Sequence, residues 1–241
     1  MFITFEGIDY CGKGEQIRRT EEYLRSLNIP YFLNQEPGGS AHGLIDRMLL
    51  KNPSLSARAL NEAFKGMNDY PQIPLDENGN IEPALPETEI LRFVDSRVNN
   101  TIRGIRPALS EGKIVLSDRH FHSTMAYQGY DKYRGEKRIL DLIIALHDLM
   151  IFPIANIDRT FYFDITFEEQ ENRKAYAIGR DPNDVLDNQD REKFERITEG
   201  YRTMAREDQR VLLIDGMRTP EEVFADVRKE LEKMLKAGGR I

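Results

Sequence analysis

The chain has 241 residues, with 34 Lys and Arg against 41 Asp and Glu, for a formal net charge of −7. That length buries a core without disulfides or a structural metal, and the lone Cys11 excludes a disulfide framework and a cysteine metal cluster. The acidic balance argues against a nucleic-acid partner, which wants a basic face, so an anionic ligand requires a locally basic pocket.

Met1–Glu6 has neither the basic start nor the long apolar stretch of a signal peptide. The longest strongly apolar run, Leu142–Leu146, is far below the roughly 20 residues of a bilayer span. A cytoplasmic globular protein with no membrane partner is expected. Short apolar runs at Met1–Glu6, Tyr31–Leu33, Ile114–Ser117, Thr160–Asp164 and Val211–Asp215 read as strands covered on both faces. Segments of helical period separate them, at about 15–27, 41–50, 56–68, 88–110, 121–128, 136–150, 166–177, 188–208 and 219–236. The alternation predicts an α/β fold, an open parallel sheet with helices on both faces, in a single domain over 1–241. Ligands of such sheets sit beyond the carboxyl ends of the strands. Two stretches escape the pattern. Residues 70–88 carry Pro71, Pro74, Pro83 and Pro86 and read as a surface excursion. Residues 178–188 break the helical period and read as a mobile loop.

Gly7-Ile8-Asp9-Tyr10-Cys11-Gly12-Lys13 follows the first strand and precedes a helix, with the spacing of a phosphate-binding loop (P-loop). Its glycines let backbone N–H groups turn inward around phosphate oxygens, and the helix N-terminus adds positive potential. Lys13 then lies against the β- and γ-phosphates. The next residue of such loops is Ser or Thr, whose hydroxyl ligates Mg²⁺; here it is Gly14, followed by Glu15. A carboxylate at 15 repels phosphate unless it faces solvent or helps hold the metal. The third strand run ends in Asp118-Arg119, readable as metal and phosphate ligands or as a structural ion pair. Glu36-Pro37-Gly38-Gly39 after the second strand is a turn by composition. His42, His120, His122 and His147 show no metal-like clustering and read as structural or surface residues.

Together these pieces resemble the thymidylate kinases, nucleoside monophosphate kinases with the P-loop NTPase-type fold. The residues that carry the likeness are Phe5-Glu6-Gly7-Ile8-Asp9, Glu36-Pro37-Gly38-Gly39, Phe93-x-x-x-Arg97 and the stretch from Asp118-Arg119-His120 through Ser123-Thr124 to Ala126-Tyr127-Gln128-Gly129. Arg173, Arg180, Asp187, Phe194 and Tyr201 follow in family order. The resemblance implies transfer of the γ-phosphoryl group of ATP to dTMP, with Mg²⁺ as cofactor. Gly7 to Glu15 would bind ATP: Gly7, Asp9, Tyr10, Cys11, Gly12, Lys13, Gly14 and Glu15. Asp118 would hold the metal through water, and Arg119 would bind the acceptor phosphate. Phe93 would stack on thymine and Arg97 would donate to its O4, with Glu36, Pro37, Ser123, Thr124 and Gln128 around them. Asp9 would receive the sugar 3′-hydroxyl, and Tyr127 would fill the place of a ribose 2′-hydroxyl. Tyr10 stands where some members carry a catalytic arginine, so that charge falls to Arg173 or Arg180; each also reads as a solvated helix charge. Gln35 stands where the family usually has Arg, and Arg47 is the candidate to compensate. A homodimer is a further expectation. The alternatives are a P-loop kinase of another nucleoside monophosphate and a nucleotide-binding protein without turnover.

Overall fold

The computed structural model describes residues 1–67, 69–176 and 190–241. Five strands pair in one all-parallel sheet: β1 (Phe2–Glu6), β2 (Tyr31–Gln35), β3 (Ile114–Asp118), β4 (Arg159–Asp164) and β5 (Val211–Asp215), in the order β2-β3-β1-β4-β5. β1, β3 and β4 are apolar on both faces, and Phe2, Phe5, Leu116, Phe161 and Phe163 are fully buried. The edge strands differ from expectation. Leu33 on β2 and Leu213 on β5 are each 45% exposed, because an edge strand is covered less completely. β2 also runs two residues past the predicted end. Asn34 and Gln35 pair with Ser117 and Asp118, and the Asn34 amide donates to Ser117 Oγ at 2.8 Å.

Helices α1 (Lys13–Ser26), α2 (Ala41–Lys51), α3 (Pro53–Ala63), α7 (Lys137–Met150), α8 (Phe167–Ala175), α9 (Arg191–Glu207) and α10 (Pro220–Ala237) flank the sheet. Their starts follow side-chain chemistry. Ser40, Thr166 and Asp190 each accept the third N–H of their helix, and Thr219 forms a capping box with Glu222. Prolines at 53, 86 and 220 occupy first turns, where their missing N–H costs nothing.

The segment predicted as one helix over 88–110 starts at 86 and is composite: α4 (Pro86–Asn100), a wide π-type turn at Thr101–Ile105, then α5 (Arg106–Ser110). Pro107 cannot donate to the preceding turn and crowds its carbonyls, and the widened turn lets the helix continue past it. Likewise α6 (Phe121–Thr124) passes into a second wide turn over Met125–Lys132, longer than the predicted 121–128. The predicted helix 56–68 lies instead at 53–63, so the excursion begins at 64 and ends at 85. It is tied to α3: Asn61 exchanges two hydrogen bonds with the backbone of Ile73 (2.9 and 2.7 Å), Arg58 donates to Gly79 O, and Phe64 stacks on Tyr70. The predicted mobile loop, with Arg180 and Asp187, lies outside the described residues. No described helix is long and apolar enough to cross a membrane.

Candidate active site

The turn after β1 is built on a close approach. Gly7 has φ +140°, and a Cβ there would stand 2.8 Å from both Cys11 Sγ and the Phe163 carbonyl. Only glycine fits, and it lets the chain double back into the first turn of α1. Lys13, the first residue of α1, is 7% exposed, and its ammonium donates to Ile8 O at 3.3 Å. Tyr10 sits at φ 67°, a left-handed conformation that costs a side-chain-bearing residue about 1–3 kcal/mol and concentrates at functional sites. Arg173, from α8, donates to the Tyr10 carbonyl (3.3 Å) and to Gly216 O (2.7 Å), so it lies across the loop and ties it to the turn after β5.

Arg119, just past β3, is the second left-handed residue of the site, at φ 69°. Its guanidinium donates to Gly7 O (2.9 Å), Asp9 Oδ1 (3.0 Å), Ser123 Oγ (3.2 Å) and Tyr127 OH (3.3 Å), and it stacks over the Tyr127 ring at 5.1 Å. Asp118 Oδ1 is buried with no hydrogen-bond partner among the described residues. Beneath this turn, Glu6 is fully buried and receives three donors: His120 N–H (2.7 Å), Ser123 Oγ (2.5 Å) and Tyr201 OH (3.0 Å).

On the opposite wall, Glu36 follows β2 through a cis bond to Pro37, whose carbonyl accepts from Arg47 at 2.9 Å. Arg97 on α4 is 1% exposed and bonds Glu36, Thr124, His147 and the His120 carbonyl. The wide turn at 125–132 brings Tyr127 and Gln128 to the same space.

These walls enclose a cavity of about 580 Å³. Among the described residues that line it, the six cations Lys13, Arg47, Lys51, Arg97, Arg119 and Arg173 face three carboxylates, Asp9, Glu36 and Asp118. A chain of net charge −7 thus holds the basic pocket that an anionic ligand needs.

The geometry agrees with three independent likenesses. The family model described as thymidylate kinase matches residues 75–227. A thymidylate kinase of Carboxydothermus hydrogenoformans is 35% identical over 96% of both chains, and one of Fervidobacterium nodosum is 31% identical over 98% of this chain and all of its own. The solved structure of thymidylate kinase from Ehrlichia chaffeensis superposes with a TM-score of 0.62, at 27% identity over 96% of this chain and 98% of that one. The chain belongs to the thymidylate kinase family.

Most of the residues expected of a thymidylate kinase site meet in the cavity: Asp9, Tyr10, Gly12, Lys13 and Gly14 at the loop, and Asp118, Arg119 and Arg173 above it. Glu36, Pro37, Arg47, Phe93, Arg97, Ser123, Thr124, Tyr127 and Gln128 form the remaining wall. Gly7, Cys11 and Glu15 do not line it. Gly7 and Cys11 shape the loop from beneath. Glu15 turns outward, where Arg18 and Arg19 hold its carboxylate and lower its pKa. Of the two positions open for Glu15 in the sequence, the structure has the solvent-facing one. Arg180 lies outside the described residues.

Two features were not anticipated. Lys51 and Asn52 line the cavity at the end of α2; the available signal was the Arg47–Lys51 spacing, which puts two cations on one helix face. Glu6 was read only as part of a motif. His120, His122 and His147 take the structural one of the two places the sequence left open: all three are buried, and burial is the largest cause lowering the pKa of each.

Proposed function

We propose that this family member phosphorylates dTMP to dTDP with ATP as phosphoryl donor. One observation carries the reading: the loop with Lys13, the Asp118-Arg119 strand end and the Phe93/Arg97/Tyr127/Gln128 wall share one cavity. A phosphate donor and a pyrimidine nucleotide acceptor therefore have places side by side. Phosphoryl transfer is mostly positioning and charge neutralisation, so the protein's task is to bring the two phosphates together and exclude water.

In this reading Lys13 and the loop amides hold the donor phosphates, and Arg173 adds charge from above. Arg119 receives the acceptor phosphate. Its bonds to Gly7 O and Asp9 are the shorter ones and hold the head in place. The longer bonds to Ser123 and Tyr127 are those that phosphate oxygens replace. Phe93 stacks on thymine, Arg97 donates to O4, and Asp9 receives the 3′-hydroxyl. Tyr127 excludes a 2′-hydroxyl, and Ser123, Thr124 and Gln128 complete the base pocket. Lys51 extends the basic wall one turn beyond Arg47, on the side where Gln35 replaces an arginine. The unpartnered buried oxygen of Asp118 suits a hydrated Mg²⁺, a hard cation that keeps several waters, and Gly14 supplies no hydroxyl to it. When bound, Mg²⁺ neutralises charge on the donor phosphates.

Residues 1–241 act as a single domain in the cytoplasm, without nucleic-acid or membrane partners. A homodimer is supported by α2, α4 and α7, which pack side by side and expose Leu44, Ile45, Met48, Leu91, Leu142 and Leu149. Ile45→Glu should then shift the sedimentation of the protein towards a monomer. The activity is tested by ADP release with ATP and Mg²⁺ over a panel of nucleoside monophosphates. Rapid turnover with dTMP is expected, and equal use of AMP or CMP would assign the site to another acceptor.

A further inference from the structure

Arg97 is engaged on nearly every side before any ligand arrives. Its Nε donates to Glu36 Oε2 at 2.5 Å, and its Nη2 to the His120 carbonyl at 2.9 Å. Both hydrogens of Nη1 are used, one on Thr124 Oγ1 at 3.1 Å and one towards His147 Nε2 at 2.6 Å. Among the described residues, four of the five guanidinium N–H groups are therefore committed to protein, from three segments of the chain: the loop after β2, α6 with the residue before it, and α7. The fifth, on Nη2, is the one left for a ligand in the cavity that Arg97 lines.

The histidine in this set has a defined tautomer. Its Nδ1 lies 2.6 Å from the Ile143 carbonyl, which can only accept, so Nδ1 carries the proton and Nε2 presents its lone pair to Arg97. The ring is held by Phe121 at 4.8 Å and Phe152 at 5.7 Å, and the residue is wholly buried. Burial first, and the Arg97 charge second, push its pKa down to about 3, so it stays a neutral acceptor throughout the working range.

We infer that His147 is a positioning residue for base recognition: by accepting from Nη1 it fixes the plane of the Arg97 guanidinium, and so aims the remaining N–H at the O4 edge of the pyrimidine. The inference rests on the dTMP kinase reading above and extends it to a residue that lies outside the cavity lining. Removing the acceptor leaves a buried Nη1 N–H unpaired, and the guanidinium, still held by Glu36, Thr124 and the His120 carbonyl, tilts to recover a partner and carries its remaining N–H off line. The loss should fall on discrimination between thymine, which presents an acceptor at that edge, and cytosine, which presents a donor.

The test compares His147→Gln with His147→Asn. The Gln side chain reaches the Nε2 position and can accept from Arg97; the Asn side chain reaches only the Nδ1 position. Steady-state kcat/KM is measured for dTMP and dCMP, with KM for ATP and the melting temperature as controls on fold. His147→Asn should lower the dTMP-over-dCMP preference about tenfold, the scale of one lost hydrogen bond to a charged group, and His147→Gln should stay within about threefold of wild type. If His147→Asn does not fold, His147→Met, which fills the space beside Phe121 and Phe152 without an acceptor, takes its place. Wild-type preference in a folded Asn or Met variant overturns the inference, as does equal loss in the Gln variant. A wild-type enzyme with no preference for dTMP overturns the underlying reading instead, so the two failures are distinct.

Discussion

Replacing Lys13 by methionine should abolish turnover while leaving the fold as stable as before, or more so. Lys13 is 93% buried, since its exposure is 7%, yet among the described residues its ammonium has one long hydrogen bond, to Ile8 O at 3.3 Å. A buried cation with one long hydrogen bond is incompletely compensated for the hydration it gives up. Methionine fills most of the same volume and carries no charge. If about 1 kcal/mol of that penalty is relieved, the melting temperature of a chain this size rises by about 2–4 °C. With nucleotide bound the balance reverses. A unit charge about 4 Å from a phosphate oxygen, at an effective dielectric near 20, contributes about 4 kcal/mol. Loss of a single preorganised donor at a reacting oxygen typically costs about 10²–10³ in kcat. The combined fall in kcat/KM for ATP should reach about 10³ or more, read by ADP release, with scanning calorimetry on the ligand-free protein alongside. Turnover within about tenfold of wild type would remove Lys13 from the phosphates. A melting temperature lowered by more than about 5 °C would mean that the ammonium holds the loop itself.

Gly14→Ser should lower the Mg²⁺ concentration for half-maximal rate, because a Cβ at Gly14 meets nothing within 4 Å and the added hydroxyl is sterically free; a metal titration of the rate checks it. Arg173→Ala should lower kcat more than it raises KM for dTMP, since its two carbonyl bonds hold it over the loop and not over the base wall. Acceptors should rank dTMP, then dUMP, then dCMP and UMP, and Tyr127→Ala should narrow the gap between UMP and dUMP while leaving dCMP poor. The pH dependence of stability has a definite sign for His147. Its folded pKa is depressed to about 3, so the unfolded chain takes up a proton near pH 6.5 that the folded chain refuses. The contribution is full above pH 6.5 and is lost as pH falls towards 3, at up to about 1.4 kcal/mol per pH unit. Urea denaturation from pH 7 to 4.5 should show a steeper loss for wild type than for His147→Gln.

All five strands could be read from the sequence to within two residues, because short apolar runs of this kind have no other stable use than a sheet covered by helices. The P-loop was readable for a related reason: its glycine spacing and the following lysine express backbone geometry within seven consecutive residues. The recognition residues were readable only as a resemblance. Nothing local to Phe93 or Tyr127 says that they share a cavity.

What the sequence determined by itself is therefore what depends on neighbours along the chain: strand runs, helix caps, the turn at Gly7 and the basic and acidic residues at strand ends. The tertiary structure decided whatever depends on which distant segments meet. The wide turn at 101–105 follows from Pro107 lying in a helix that packing keeps continuous, and no periodicity announces it. The outward turn of Glu15 was set by two arginines competing with solvent for one carboxylate. Arg97 is the extreme case. Its partners lie 61, 27, 50 and 23 residues away in sequence, and its role as a clamped donor exists only after α4, α6, α7 and the loop after β2 have closed around it. A guanidinium in so dry a place must satisfy its hydrogens with whatever the fold brings near, and only the assembled fold settles which N–H remains for the ligand.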